Sequence, residues 1–201
     1  MQKISKGNIG YIKSQRLYKA LTTLILFIIP IGALIAAWLY YGTNKNLITV
    51  LALVGCLPAC RSLVNLIMFF TVKPLPQDIA ERIKAHEGSL ECAYELYLTT
   101  QDKNIMIDAC GICGNTIVAL STFKNPDTVF GEKHITNTLR ASGKSVTVNI
   151  MKDPDKFIER LDDLNSKAEK IRSSVNFVPD ERYPDLSNEE LIKYKLMAVA
   201  L

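Results

Sequence analysis

The sequence predicts an α+β (or α/β) domain with one mixed sheet, in the order αβββαβαα, preceded by a two-helix transmembrane hairpin. Three observations predict it. Two apolar runs, 21–41 and 47–72, are each long enough to cross a bilayer, which takes about 20 apolar residues in a helix. Between 90 and 121, short runs rich in β-branched residues are broken by turn residues, the signature of strands. On either side of the strand 146–150, apolar residues recur at helical spacing.

In chain order, residues 1–19 form a basic N-terminal segment carrying Lys3, Lys6, Lys13, Arg16 and Lys19, with a short interfacial helix expected from Gly10. The hairpin occupies 20–72, with spans at about 21–41 and 47–71. A cleaved leader is disfavoured, because the first run is too long and a second follows at once. Pro30 and Pro58 interrupt the spans near mid-depth, where proline kinks a helix. Gly55 with Ala59, and Cys56 with Cys60, give the second span a small-residue face for close helix packing.

The domain, 73–201, opens on the stiff Lys73-Pro74-Leu75-Pro76. A helix is expected over 78–87, stopped by Gly88 and Ser89. Strands follow at 90–100, 105–109 and 116–121, bounded by Asp102-Lys103-Asn104, Gly111, Gly114-Asn115 and Asn125-Pro126. An amphipathic helix over 127–142 carries Phe130, His134, Ile135 and Leu139 and stops at Gly143. Val146, Val148 and Ile150 alternate with polar residues. Asp153-Pro154 opens a long helix through Ile171, and Ser187 with Glu190 makes a capping box for a last helix over 188–201.

Charge placement orients the chain. No acidic residue precedes Asp78, whereas eight of the 24 Lys and Arg do, leaving 16 against all 20 Asp and Glu in the rest. Basic residues flank the outer ends of the two spans and only Lys45 lies in the loop between them. By the positive-inside rule both termini are cytoplasmic, in a multi-pass protein of the cell membrane. Trp38, Tyr40 and Tyr41 fit the far interfacial belt. Lys13, Arg16, Lys19, Trp38, Arg61 and Lys73 are the candidate lipid contacts. Arg61, the one charge within the spans, is read as snorkelling to the inner headgroups or meeting a lipid phosphate. In the reducing cytosol the five cysteines are expected as thiols.

No Walker motif, Gly-rich phosphate loop or HExxH is present. Cys110-Gly111-Ile112-Cys113 has thioredoxin-like spacing, and Cys110 and Cys113 are the candidate metal or redox pair. A zinc site would need two further ligands, with only Cys92, His86 and His134 at hand. The run after Cys113 reads as a strand rather than a helix, so these thiols are expected as small buried residues. No cofactor is expected.

Over about residues 78–151, the order helix, three strands, helix, strand resembles the core of the restriction-endonuclease-like, PD-(D/E)xK, superfamily. In that family a strand-borne aspartate and a following acid-x-lysine pair hold a divalent ion that polarises a phosphodiester. The resemblance implies Asp108 as the aspartate, with Glu91 and Glu95 as carboxylates from the preceding strand and Lys124 as the lysine. The next strand carries no acid, so Lys124 lacks its partner, and the departure implies a binding version of the fold over an active nuclease. The whole chain resembles small bacterial two-span membrane proteins with a compact cytosolic α/β domain. The expected function is a membrane-anchored binding or interaction module. Two alternatives are a membrane-tethered enzyme acting on phosphodiesters, and a ligand-sensing effector that oligomerises through its hairpin. The bilayer, a second copy of the chain, and a protein or small-molecule ligand are the expected partners; nucleic acid is not.

Overall fold

The computed structural model describes residues 4–42, 46–100, 103–123, 126–175, 177, 179–180 and 182–200. The chain divides into two compact units, one centred on Ile12–Lys73 and the other formed by Ser5–Tyr11 with Pro74–Leu201.

The first unit is two helices, α1 (Tyr11–Tyr41) and α2 (Leu47–Thr71). The interfacial segment expected from Gly10 is continuous with the first apolar run. Both helices are long and apolar enough to cross a membrane, and only 17% of each apolar window is buried. A core helix of a water-soluble fold hides such a surface, whereas these leave Leu24, Ile29, Leu39, Leu51 and Leu57 outward. Small side chains let the helices approach: Ala37, Ala52 and Ala59 are buried, and Gly55 lies against Pro30. Thr23 Oγ1 and Ser62 Oγ share a buried hydrogen bond of 2.7 Å. Asn46 caps α2, its Oδ1 accepting from Thr49 N at 2.9 Å.

The second unit is built on β1 (Glu91–Thr99), β2 (Asn104–Cys113), β3 (Thr116–Leu120) and β4 (Thr147–Met151). They form one mixed sheet in the order β1-β2-β3-β4, antiparallel at the first two pairings and parallel at the third. The helices are α3 (Gln77–Ala85), α4 (Thr128–Ala141), α5 (Pro154–Ser166), α6 (Ala168–Ser173) and α7 (Asn188–Val199). Ile135 and Leu139 of α4 and Ile192 and Leu196 of α7 cover one face of the sheet. Ile83 of α3 and Phe157, Leu161 and Leu164 of α5 cover the other. The mixed sheet and its helical cover are those the sequence predicts, with the amphipathic stripes as the cause.

Several boundaries differ from the sequence reading, three of them in the second unit by two residues or more. β2 runs on through Cys113, because both its faces are buried and the apolar run has no alternation to mark an end. α3 stops at Ala85 rather than at 87. The long helix from Pro154 divides at Lys167, giving three C-terminal helices instead of two. There Asn165 turns to the loop after α3: its Nδ2 donates to the carbonyls of His86 (2.9 Å) and Glu87 (3.1 Å), and its Oδ1 accepts from Ser89 N (3.1 Å). The capping box forms, Glu190 Oε2 accepting from Ser187 N at 2.8 Å and Ser187 Oγ from Glu190 N at 3.3 Å.

Both edges of the sheet carry contacts that obstruct further pairing. On β1, Tyr94 N donates to Gly7 O at 2.9 Å and Leu98 bridges Ala200, whose carbonyl also accepts from Lys6 Nζ. On β4, Ile150 N donates to Glu132 Oε1 at 2.8 Å. The residues just before the first long helix and the last described residue of the chain therefore meet on one strand.

Candidate functional site

Glu95 and Asp108 occupy the one gap in the β1–β2 register, between the pairs Tyr94↔Ala109 and Leu96↔Ile107. At that level both strands change face. Ala93 and Leu96 share one side of the sheet although three residues apart, as do Ile107 and Cys110, so each strand carries one residue too many for strict alternation. Glu95 absorbs the irregularity with φ +52°, a conformation costly for a side-chain-bearing residue and concentrated at special sites. It is 1% exposed and accepts a hydrogen bond from Leu75 N at 3.2 Å, in the segment that follows α2. Asp108 is 4% exposed; its Oδ2 accepts from Thr122 N at 2.5 Å and from Thr122 Oγ1 at 2.8 Å. Lys124 lies outside the described residues. Among the described residues no three His, Cys, Asp or Glu converge to hold a metal ion.

Burial pushes the Asp108 carboxyl above its ordinary value of 3.8, against the pull of the two Thr122 hydrogen bonds. The folded state then holds its proton more tightly than the unfolded chain. The stabilising contribution is complete below the ordinary value and is lost as pH rises through the raised one. Asp108→Asn keeps an acceptor for Thr122 and removes the ionisation. Denaturant melts should show the variant gaining on the parent between pH 4 and pH 7; an identical gap at both would contradict the assignment.

Cys110 and Cys113 lie on β2 with their side chains on opposite faces, Cys110 toward α4 and α7, Cys113 toward α3 and α5. On opposite faces they cannot bridge each other or hold one ion between them. Burial pushes the Cys110 thiol up to about 12 and raises those of Cys92 and Cys113. Protonated thiols in apolar surroundings are inert. His86 pairs with Asp162 at 2.9 Å, and His134 sits at the core edge, stacked on Phe130.

Among the described residues, two clefts of ligand size stand out on the second unit. One, of about 380 Å³, is lined by Ser89, Gly114, Arg172, Phe177, Asn188 and Glu189, among others. Its floor is a clamp that the sequence reading missed. Glu189, buried in the first turn of α7, accepts from Gly114 N at 2.6 Å and from Arg172 Nε and Nη2 at 2.9 and 2.8 Å. Arg172 also donates to Ser89 O at 2.6 Å. The other cleft, of about 430 Å³, lies between the N-terminal segment Gly7-Asn8-Ile9 and Lys84, Glu87, Glu91, Cys92, Tyr94 and Lys193. Tyr94 donates its hydroxyl to Glu87, and Lys193 pairs with Glu91 at 2.9 Å. Its charges are balanced, which suits a polar or zwitterionic ligand better than a polyanion.

Of the candidate lipid contacts, Lys13, Trp38, Arg61 and Lys73 are exposed and Lys19 half-buried. Arg16 turns inward: it donates to the carbonyls of Phe69 (2.9 Å) and Val72, and its guanidinium lies 5.4 Å from the Phe70 ring centroid. A cation thereby caps the orphan carbonyls and negative dipole end of α2. The loop residue Lys45 lies outside the described residues. No family model, curated protein or solved structure matches the chain.

Proposed function

We propose that this is a multi-pass membrane protein, held by the α1–α2 hairpin in the cell membrane, whose cytoplasmic domain is a binding module for a protein or small ligand. The pairing of Gly7 with Tyr94 carries the reading. It joins the chain before α1 and the chain after α2 in one folded body, which supports placing both on one side of the membrane, as a two-span hairpin requires. The basic residues of the N-terminal segment and Lys73 favour the cytoplasm for that compartment. Within the domain, the central charged groups serve the fold: Asp108 holds Thr122, Glu95 holds Leu75, and Glu189 holds Arg172. The two open clefts are left for recognition. The cleft beneath Gly7-Asn8-Ile9 is the stronger candidate, because a ligand there touches the segment that leads into α1. The test is topological. Carbonate-washed membranes should retain the full chain, and tags on either terminus should resist external protease in intact cells and be cleaved after permeabilisation. Cleavage of either tag in intact cells would refute the orientation.

A second reading, a membrane-tethered enzyme acting on phosphodiesters, draws support from the strand order with its parallel last pair and from Asp108 on β2. It predicts divalent-ion-dependent turnover of nucleic acid or nucleotides that Asp108→Asn abolishes. Full turnover in that variant would sink it.

A further inference from the structure

The side of α2 that packs inward is marked by Ala52, Ala59, Ser62 and Phe69. Arg61 stands on the far side, among Val54, Leu57 and Val64, which are 58, 67 and 65% exposed. It is itself exposed, and no described residue bonds to its guanidinium. Its α-carbon lies two residues past the middle of the helix, about 3 Å along the axis, and about 15 Å short of Thr71. That is close to mid-membrane if α2 spans the bilayer.

Escape to the headgroups is opposed by helix geometry. Side chains on an α-helix lean toward its N-terminus. In the proposed orientation Arg61 leans toward Leu57, deeper into the membrane and away from the cytoplasmic end of α2. A guanidinium held at such depth is costly and is as a rule paired. No carboxylate in the spans can pair with it, because no Asp or Glu occurs before Asp78. A second copy packed on the same face would bring another guanidinium and repel.

We propose that the Arg61 face of α2 docks a transmembrane helix of a different protein, one that carries a carboxylate at mid-membrane depth. Leu57 and Val64 would pack against its aliphatic surface, while the planar guanidinium takes the carboxylate two-handed. The inference rests on the membrane reading above, and the test separates the two.

The full chain, donor-labelled, is reconstituted in phosphatidylcholine vesicles with acceptor-labelled polyleucine transmembrane peptides that carry Asp, Asn or Leu at the centre. Alkaline pH keeps the peptide carboxyl ionised. Energy transfer should report association about tenfold tighter for the Asp peptide than for the Leu peptide. Arg61→Leu should erase that advantage and Arg61→Lys should keep only part of it. Equal association of the peptides, or an Asp advantage that survives Arg61→Leu, would overturn the proposal. So would loss of the advantage on adding phosphatidylglycerol, which would identify lipid phosphate as the counterion. Flotation is read on the same samples: a chain that does not float with vesicles refutes the membrane reading, whereas a floating chain indifferent to the aspartate refutes only the docking.

Discussion

Arg172→Met is expected to cost the second unit about 3 kcal/mol, the lower end of what breaking a buried pair from one side costs. The lower end applies because the Arg172 side chain is 38% exposed while that of Glu189 is 9% exposed. The loss comes less from the missing attraction than from what stays behind: a carboxylate in the wall of the domain with only Gly114 N and the α7 dipole to hold it. The carbonyl of Ser89 loses its donor as well. The double variant Arg172→Met/Glu189→Gln should recover part of the loss, since it removes the stranded charge. Denaturant midpoints of the detergent-solubilised protein measure both. A cost under about 1 kcal/mol would mean a solvent-screened surface pair. The clamp joins α6, α7, the β2–β3 turn and the start of β1, so the variant should also loosen the floor of the smaller cleft.

How much of this was legible in the sequence depended on the range of the interaction. Local chemistry wrote itself plainly: the Ser187–Glu190 box, Asp127 at the start of α4, the alternation of Val148 and Ile150, and the two apolar runs. Features that depend on a distant partner left no local trace. Gly7 reads as an ordinary glycine in a basic segment, yet it closes the edge of β1. Arg16 reads as a headgroup contact, yet it holds the far end of α2 at Phe69, 53 residues on in the sequence. Glu95 looks like the solvent side of an alternating strand, and only the doubled residue at its level puts it in the interior. The Arg172–Glu189 clamp was missed for the same reason: an Arg and a Glu 17 apart, on helices that nothing nearby brings together. Only the preference for an acid in the first turn of α7 could have singled out Glu189.

Gly111→Val is expected to destabilise the second unit by about 3 kcal/mol, at the top of the usual range for overpacking a core. A β-carbon at this position would lie 2.4 Å from Leu161 Cδ2, with Leu90 Cδ1 at 3.7 Å and Cys92 Sγ at 3.9 Å. Leu161 is fully buried among Phe157, Leu164 and Val118, so it has no open side to yield toward. Leu161→Ala alone should cost about 3 kcal/mol through the cavity it leaves. Combined, the two changes fill that cavity with the new valine, and the double variant should be more stable than the sum of the single losses by about 1 kcal/mol or more. Strict additivity would show that the close approach of α5 to β2 is not what demands glycine. The same cycle bears on the spacing of Cys110 and Cys113. If the glycine between them is there for the packing of α5, oxidant should leave the melting of the parent unchanged while the valine variant melts early. A redox pair would show the reverse, and two thiols on opposite faces of one strand have no geometry for it.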